Sequence, residues 1–282
     1  SSPGNMTAWM AGTAATTHNR VFAQDVSVTA PTPVPEDVQG MPGFPGDGPQ
    51  VTEDLTAEIR SAADHGDFRA CSALPAGSMT GAIAFVERGD CTFEVKVTNA
   101  ANAGAVAVIM GNNVGGPPSA PGGLENSTIP AVMIPGGSSQ ALEDFFADTD
   151  EDVYGTISAG TDIFFDDDWT DVVAGFSSRG PSQYDMLAPT YAAPGVNILA
   201  AAAPDGGEGN AYAVLGGTSM SSPHAAGATA LMRALQPDWT PTQIRSALAT
   251  SADTDILKED AVTPADPFDI GSGRINLYNA SR

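Results

Sequence analysis

Two kinds of hydrophobic run alternate along this chain. Short continuous apolar stretches at residues 81–86, 105–110 and 129–134 read as buried strands, and 153–157 as one more. Between the first two, residues 94–103 place Val95, Ala100 and Ala103 on one side of a predicted helix. Ser138 or Ser139 can cap a further helix that carries Leu142, Phe145 and Phe146. Outside this middle region strands are expected around 6–13, 172–177, 196–200 and 211–214. The longest apolar pattern runs from Ser219 to Leu235, where Arg233 is the sole formal charge. Met220, Ala225, Ala226, Ala230, Leu231 and Leu235 fill most of its sides, which predicts a helix inside a protein. Thr240 as N-cap and Pro241 at the first helical position start another helix, with Ile244, Leu248 and Ala249 inward and an end near Ala252. Residues 23–55 repeat Pro and Gly with few large apolar side chains, so they read as an extended lead-in.

Chemistry concentrates at the start of the Ser219 helix, in Gly217-Thr218-Ser219-Met220-Ser221-Ser222-Pro223-His224. The first N–H groups of a helix have no partner within it, so they can donate to a developing oxyanion. Gly216 and Gly217 permit a sharp approach and close passage of a substrate backbone. A plain Ser/Thr helix cap is the alternative. Other serine chemistries do not fit: Ser219 has Gly217 before it but Ser221 after it, and no Lys lies three residues on.

The octapeptide resembles the nucleophile motif of the subtilisin-like serine peptidases. Phe176-Ser177-Ser178-Arg179-Gly180-Pro181, Ala193-Pro194-Gly195 and Gly271-Ser272-Gly273-Arg274-Ile275-Asn276 are similar to further segments of that family, in its order. Residues 1–20, with Trp9 and His18-Asn19-Arg20, resemble the strand that follows the family's oxyanion asparagine. The resemblance implies an α/β fold, a partial doubly wound parallel-sheet catalytic domain. It implies Ser219 as nucleophile, with Gly217 and Thr218 in contact with substrate. The triad roles are those of subtilisin itself. The family's aspartate and histidine motifs do not occur in this chain. His224 lies five residues past Ser219, about 140° around the helix, and matches a structural, core histidine of the family. His18 sits at a strand end and His65 in a polar stretch. The alignment puts the oxyanion asparagine upstream of residue 1, which excludes Asn5. Asp, His and Asn are therefore expected on a preceding segment. Too few strands are present to cover the apolar helix, so alone it should be partly bare and prone to aggregation.

Arg88-Gly89-x-Cys91-Thr92-Phe93 with Lys96, Asn99-Ala100 and Ala103-Gly104-Ala105, then Ile129-Pro130-Ala131-Val132, resembles the protease-associated (PA) domain, of α+β type. It implies a gating, positioning or interaction role without chemistry of its own. The expected division is 1–49 as the start of the peptidase part plus linker, 50–158 as inserted PA domain, and 159–282 as the part with the nucleophile. The spacing of Cys71 and Cys91 is compatible with one disulfide and an oxidising, extracellular compartment. A metal pair or catalytic thiol would lack both Cys-x-x-Cys spacing and clustered histidines.

Charge adds exclusions. The chain carries 34 acidic against 11 basic side chains, net −23, which disfavours nucleic acid as a partner. Asp162, Asp166, Asp167 and Asp168 could hold a structural calcium ion, though solubility is the preferred reading of such a surface. No cofactor is expected for catalysis. No apolar run is long enough to span a bilayer. Three functions remain: the nucleophile-bearing part of a secreted subtilisin-like endopeptidase acting on proteins or peptides, a serine-carboxyl peptidase, and a non-catalytic PA-type binding module with a relic serine.

Overall fold

A computed structural model of the chain describes residues 7, 9–114, 120–182, 185–201 and 212–282. It forms two compact units, Ser1–Arg20 with Phe165–Arg282, and Val21–Phe164. In chain order the strands are β1 (Thr13–Thr16), β2 (Arg20–Ala30), β3 (Met41–Pro45), β4 (Leu55–Ser61), β5 (Ile83–Glu87), β6 (Ala107–Gly111), β7 (Ala131–Ile134), β8 (Val153–Phe165), β9 (Tyr191–Pro194), β10 (Ile198–Ala201) and β11 (Tyr212–Leu215). The helices are α1 (Phe93–Asn102), α2 (Gly136–Asp148), α3 (Thr218–Leu235), α4 (Pro241–Thr250), α5 (Pro267–Ile270) and α6 (Leu277–Ala280).

The 21–164 unit is a closed barrel in the order β2-β3-β7-β6-β5-β4-β8. Its β4, β5, β6 and β7 run parallel to one another. The continuous apolar runs are explained by burial on both faces. Ile83 and Phe85 of β5, Ala107 and Ile109 of β6, and Val132 and Ile134 of β7 join one core, with Leu142 of α2. The alternate residues Ala84, Val86, Val108, Met110, Ala131 and Met133 join a second, with Val97, Ala100 and Ala103 from α1 and its C-cap. Phe85 is the hinge of the first core: it meets Phe68 edge-on at 5.2 Å and stacks on Phe146 at 6.0 Å. Phe85→Ala is expected to cost about 3–5 kcal/mol, read from the urea midpoint of this unit.

Three expectations are corrected here. Residues 23–49 are not a lead-in: β2 and β3 are barrel strands, with Val26, Val28, Val38, Met41 and Phe44 buried. The prolines and glycines that suggested a linker fall in the connection, at Pro31, Pro33, Pro35 and Gly40, within β3 itself, at Pro42, Gly43 and Pro45, and just after it, while small and polar residues dilute the apolar signal of the strands. Helix α1 turns Val95 outward, 39% exposed, and buries Lys96 and Val97 instead. Helix α2 starts at Gly136, so Ser139 lies inside it and donates to Glu143 at 3.2 Å. Ser139 packs flush on Gly111, where an added Cβ would stand 2.0 Å from its Oγ, so its smallness serves packing.

In the other unit β1 and β9 pair in parallel, Thr13 opposite Tyr191 through Thr16 opposite Pro194. Helix α3 packs on both strands. The near-absence of side-chain volume at Ala14, Ala15, Ala192 and Ala193, all buried, lets it come close. Its inward stripe is Ser221, Ala225, Ala228 and Met232, at the spacing of one helical face. The rest of α3 is bare: Leu231 is 56% and Leu235 59% exposed. The apolar circumference therefore does not translate into burial, because nothing among the described residues of this unit covers that side. Of the expected doubly wound sheet, the described residues show a parallel pair with one helix against it. Residues 172–177 make isolated bridges from Val172 to Leu257 and from Val173 to Thr16 instead of a strand. β10 and β11 pair antiparallel, with Leu199, Tyr212 and Leu215 exposed. α4 begins as expected, Thr240 and Gln243 forming a reciprocal capping box ahead of inward Ile244 and Leu248.

Candidate active site

The serine loop is pinned from beneath by backbone. Gly195, just after β9, donates to Thr16 O of β1 at 2.8 Å and accepts from Gly217 N at 2.7 Å. Gly217 O in turn accepts from Met220 N at 2.9 Å, starting α3. Gly195 has no room for a side chain: an added Cβ would meet Ser221 Oγ at 2.1 Å, Ala15 Cβ at 2.8 Å and Gly217 O at 2.9 Å. Above this base Gly217 is open among the described residues, with none of their atoms closer than 3.6 Å to an added Cβ. Thr218 and Ser219, the first two residues of α3, face solvent.

Ser219 makes no hydrogen bond among the described residues, through Oγ or N–H. The helix has no side-chain cap. The plain alternative, a serine that caps the helix, is thus not what its side chain does. An exposed hydroxyl beside an unengaged helix N–H is the arrangement a nucleophile with an oxyanion donor needs. A base is not assembled beside it. His224 is exposed, not a core residue, and its Nδ1 is bonded to Met220 O of its own helix at 2.8 Å. His65 ends a short 3-10 turn in the barrel unit, and Asn5 lies outside the described residues.

His18 follows β1, its Nδ1 accepting from Arg20 N at 3.2 Å. Burial holds its imidazole below the ordinary value, helped by the Arg20 charge and, more weakly, His224, while hydrogen bonding with the backbone of Asn197 and Val196 pulls the other way. The unfolded chain therefore takes up this proton first as acid is added. The stabilising contribution is complete above about pH 6.5 and disappears as the pH drops through the lower folded-state value. The melting temperature should fall from about pH 7 to about pH 5, with a shallower slope in His18→Gln.

The other motif residues make contacts that tie segments of this unit together. Ser177 Oγ accepts from Ala15 N at 3.1 Å, tying the Phe-Ser-Ser-Arg-Gly-Pro segment to β1. Arg179 pairs with Glu259 and, at 3.1 Å, with the buried Asp269, which Lys258 also reaches at 3.2 Å. Asn276 caps α6 and donates to Asp253, which Arg274 also holds, together with Asp171. Sequence reasoning missed Asn197 and Ser221. Asn197 is buried at φ +54° and its Nδ2 has no partner among the described residues; Ser221 Oγ is also buried and unpartnered. An asparagine in the left-handed region was the available signal for the first.

Cys71 and Cys91 form a disulfide. The acidic stretch spends its carboxylates locally, Asp166 on Asp168 N at 2.9 Å and Asp167 on Asn19 Nδ2 at 2.9 Å. Among the described residues no group of three or more His, Cys, Asp or Glu is placed to hold a metal ion. No helix among them is long and apolar enough to cross a membrane.

A parallel strand pair carrying a helix with an exposed serine at its start, together with a barrel of parallel and antiparallel strands, suits a peptidase chain with an inserted module. Residues 50–142 match the PA domain family. Subtilisin-like protease SBT3.10 of Arabidopsis thaliana is 34% identical over 76% of this chain and 29% of its own length. Subtilisin-like protease SBT3.9 of the same plant is 32% identical over 98% of this chain and 36% of its own. Among solved structures, the psychrophilic subtilisin-like protease Apa1 from Pseudoalteromonas sp. AS-11 covers 93% of this chain and 49% of that one, at 17% identity and TM-score 0.43. A zinc aminopeptidase from Bacillus subtilis covers 52% of this chain and 32% of that one, at 23% identity and TM-score 0.36. The chain belongs to the subtilisin-like proteases and carries a PA domain. It spans about a third of the length of these two plant relatives.

Proposed function

We propose that this chain is the nucleophile-bearing part of a secreted subtilisin-like serine endopeptidase. Ser219 Oγ attacks the scissile carbonyl of a protein or peptide and forms an acyl-enzyme, while its own N–H holds the oxyanion. Gly217 and Thr218 line the substrate backbone. The histidine base, its orienting aspartate and the oxyanion asparagine come from polypeptide other than the residues described. The observation that carries this reading is the exposed, unbonded Ser219 hydroxyl at the start of an apolar helix whose outer side is bare. His18 and His224 are each engaged with backbone, which leaves the proton acceptor to come from elsewhere. The Cys71–Cys91 bridge suits an oxidising compartment. The PA unit gates or positions substrate and carries no chemistry of its own. The peptidase reaction needs no cofactor.

The test is stoichiometric labelling by a phosphonyl fluoride. In the protein that carries all three missing groups, one label per molecule is expected, on Ser219. The isolated 1–282 chain should label far more slowly. Labelling elsewhere, or none in the complete protein, overturns the proposal in favour of a non-catalytic PA-type module. An acidic optimum would instead favour a serine-carboxyl peptidase, since a histidine base fails once protonated.

A further inference from the structure

The disulfide of the barrel unit has a neighbour that a purely structural bridge does not need. Lys96 is 0% exposed, yet no carboxylate among the described residues pairs with it. Its Nζ donates to Arg69 O at 2.6 Å and stands 3.5 Å from Cys71 Sγ. A disulfide sulfur is a poor acceptor, so an ammonium with three donors is left with one good partner. Burial lowers the basicity of Lys96, opposed by the more distant charges of Asp67, Asp90 and Glu87. A thiolate at the Cys71 position would give this ammonium the counter-charge it lacks.

We propose that Cys71–Cys91 is a reversible thiol-exchange site in which the buried Lys96 ammonium receives Cys71 as a thiolate leaving group. The co-reactant is a small external thiol. Its thiolate attacks Cys91 Sγ; the disulfide breaks with its electron pair on Cys71, and a mixed disulfide remains on Cys91. A second external thiolate attacks the external sulfur of that mixed disulfide and releases the Cys91 thiolate. The external thiols end as their own disulfide, two electrons poorer, and the protein is two electrons richer. Both cysteines are half-buried rather than fully enclosed. Stabilising the reduced form makes a disulfide more oxidising, and a lower basicity of the leaving sulfur speeds its departure.

The surroundings favour return. Asp67 carboxylate oxygens accept from Arg69 N at 3.1 Å and Ser72 N at 2.8 Å. Asn99 Nδ2 donates to Ala70 O at 2.8 Å. The segment carrying Cys71 is thus held to itself and to α1 by bonds that do not involve the bridge. On the other side, Cys91 N donates to Gly89 O at 2.8 Å and Thr92 caps α1. Opening the bridge leaves both thiols where they can close again.

The experiment uses the whole chain with dithiothreitol and glutathione as the thiols. Lys96→Met is expected to slow reduction about tenfold and to shift the glutathione equilibrium about tenfold toward the disulfide. In the reduced wild type, the alkylation rate of Cys71 should inflect well below the ordinary cysteine value of about 8.5. A monothiol trapped at short times should sit on Cys91. Unchanged rates and equilibrium in Lys96→Met, an adduct on Cys71, or an inflection at the ordinary value would each overturn the proposal. The last two readouts use the wild type, so they decide even if Lys96→Met fails to fold.

Discussion

Ser219→Ala is expected to lower kcat on peptide substrates about a million-fold, the scale established for removing the nucleophile of subtilisin. The change should leave the melting temperature where it was. That pairing of effects is the useful part. Ser219 Oγ touches no donor or acceptor among the described residues, and no side chain caps α3. Removing the hydroxyl therefore uncovers no buried group and breaks no cap. Were the residue a cap after all, alanine would cost about 1 kcal/mol and activity would be untouched. The measurement is single-turnover hydrolysis beside a thermal melt, both on protein that contains the base and its orienter. Retained turnover would remove Ser219 from the mechanism. Lost turnover with a lowered melting temperature would return it to the helix.

Much of the barrel unit was legible because its strands announce themselves. Ile83–Glu87, Ala107–Gly111 and Ala131–Ile134 are buried on both faces, and a run of apolar residues says so directly. The strands Arg20–Ala30 and Met41–Pro45 were not, because their apolar residues are interleaved with Gln24, Asp25, Ser27, Pro42 and Gly43. Gly43 is there because Val26 leaves no space, an added Cβ falling 2.6 Å from its Cγ2. That close approach belongs to the partner strand and cannot be read from a local pattern. At the candidate site the order was reversed. The candidacy of Ser219 came from eight residues and its exposure at the helix start agrees with it, while the burial of its helix was misjudged. Apolar composition says which surfaces need covering, and only the fold says whether anything covers them. Likewise Lys96 shares the inward face of Ala100 and Ala103, but its charge argued for solvent, and only its contact with Arg69 O and the disulfide explains its burial.

Gly195→Ala should damage both folding and catalysis, and it tests the backbone foundation of the serine loop. The position requires no unusual backbone angle, so the cost is purely steric. The new methyl would overlap Ser221 Oγ at 2.1 Å, and crowd Ala15 Cβ at 2.8 Å and Gly217 O at 2.9 Å. Two of these neighbours are backbone or short buried groups that cannot swing aside, and overpacking of this kind costs about 1–3 kcal/mol. Relief comes most easily by lifting Gly217 away from Gly195 O, which breaks the 2.7 Å hydrogen bond that seats the loop. Ser219 then moves with the start of α3, and a displacement of about 1 Å is enough to lower turnover about a hundredfold. Ser221 supplies an internal control. Its hydroxyl is buried without a partner among the described residues, so Ser221→Ala alone should be neutral or stabilising, since an unsatisfied buried hydroxyl costs about 1–3 kcal/mol. Combined with Gly195→Ala it removes the tightest of the three overlaps. The double variant should therefore be more stable than the two separate effects added together, with part of the turnover regained. Strict additivity in urea denaturation would mean that Gly195 is not held against Ser221, and the seating of the Ser219 loop would need another explanation.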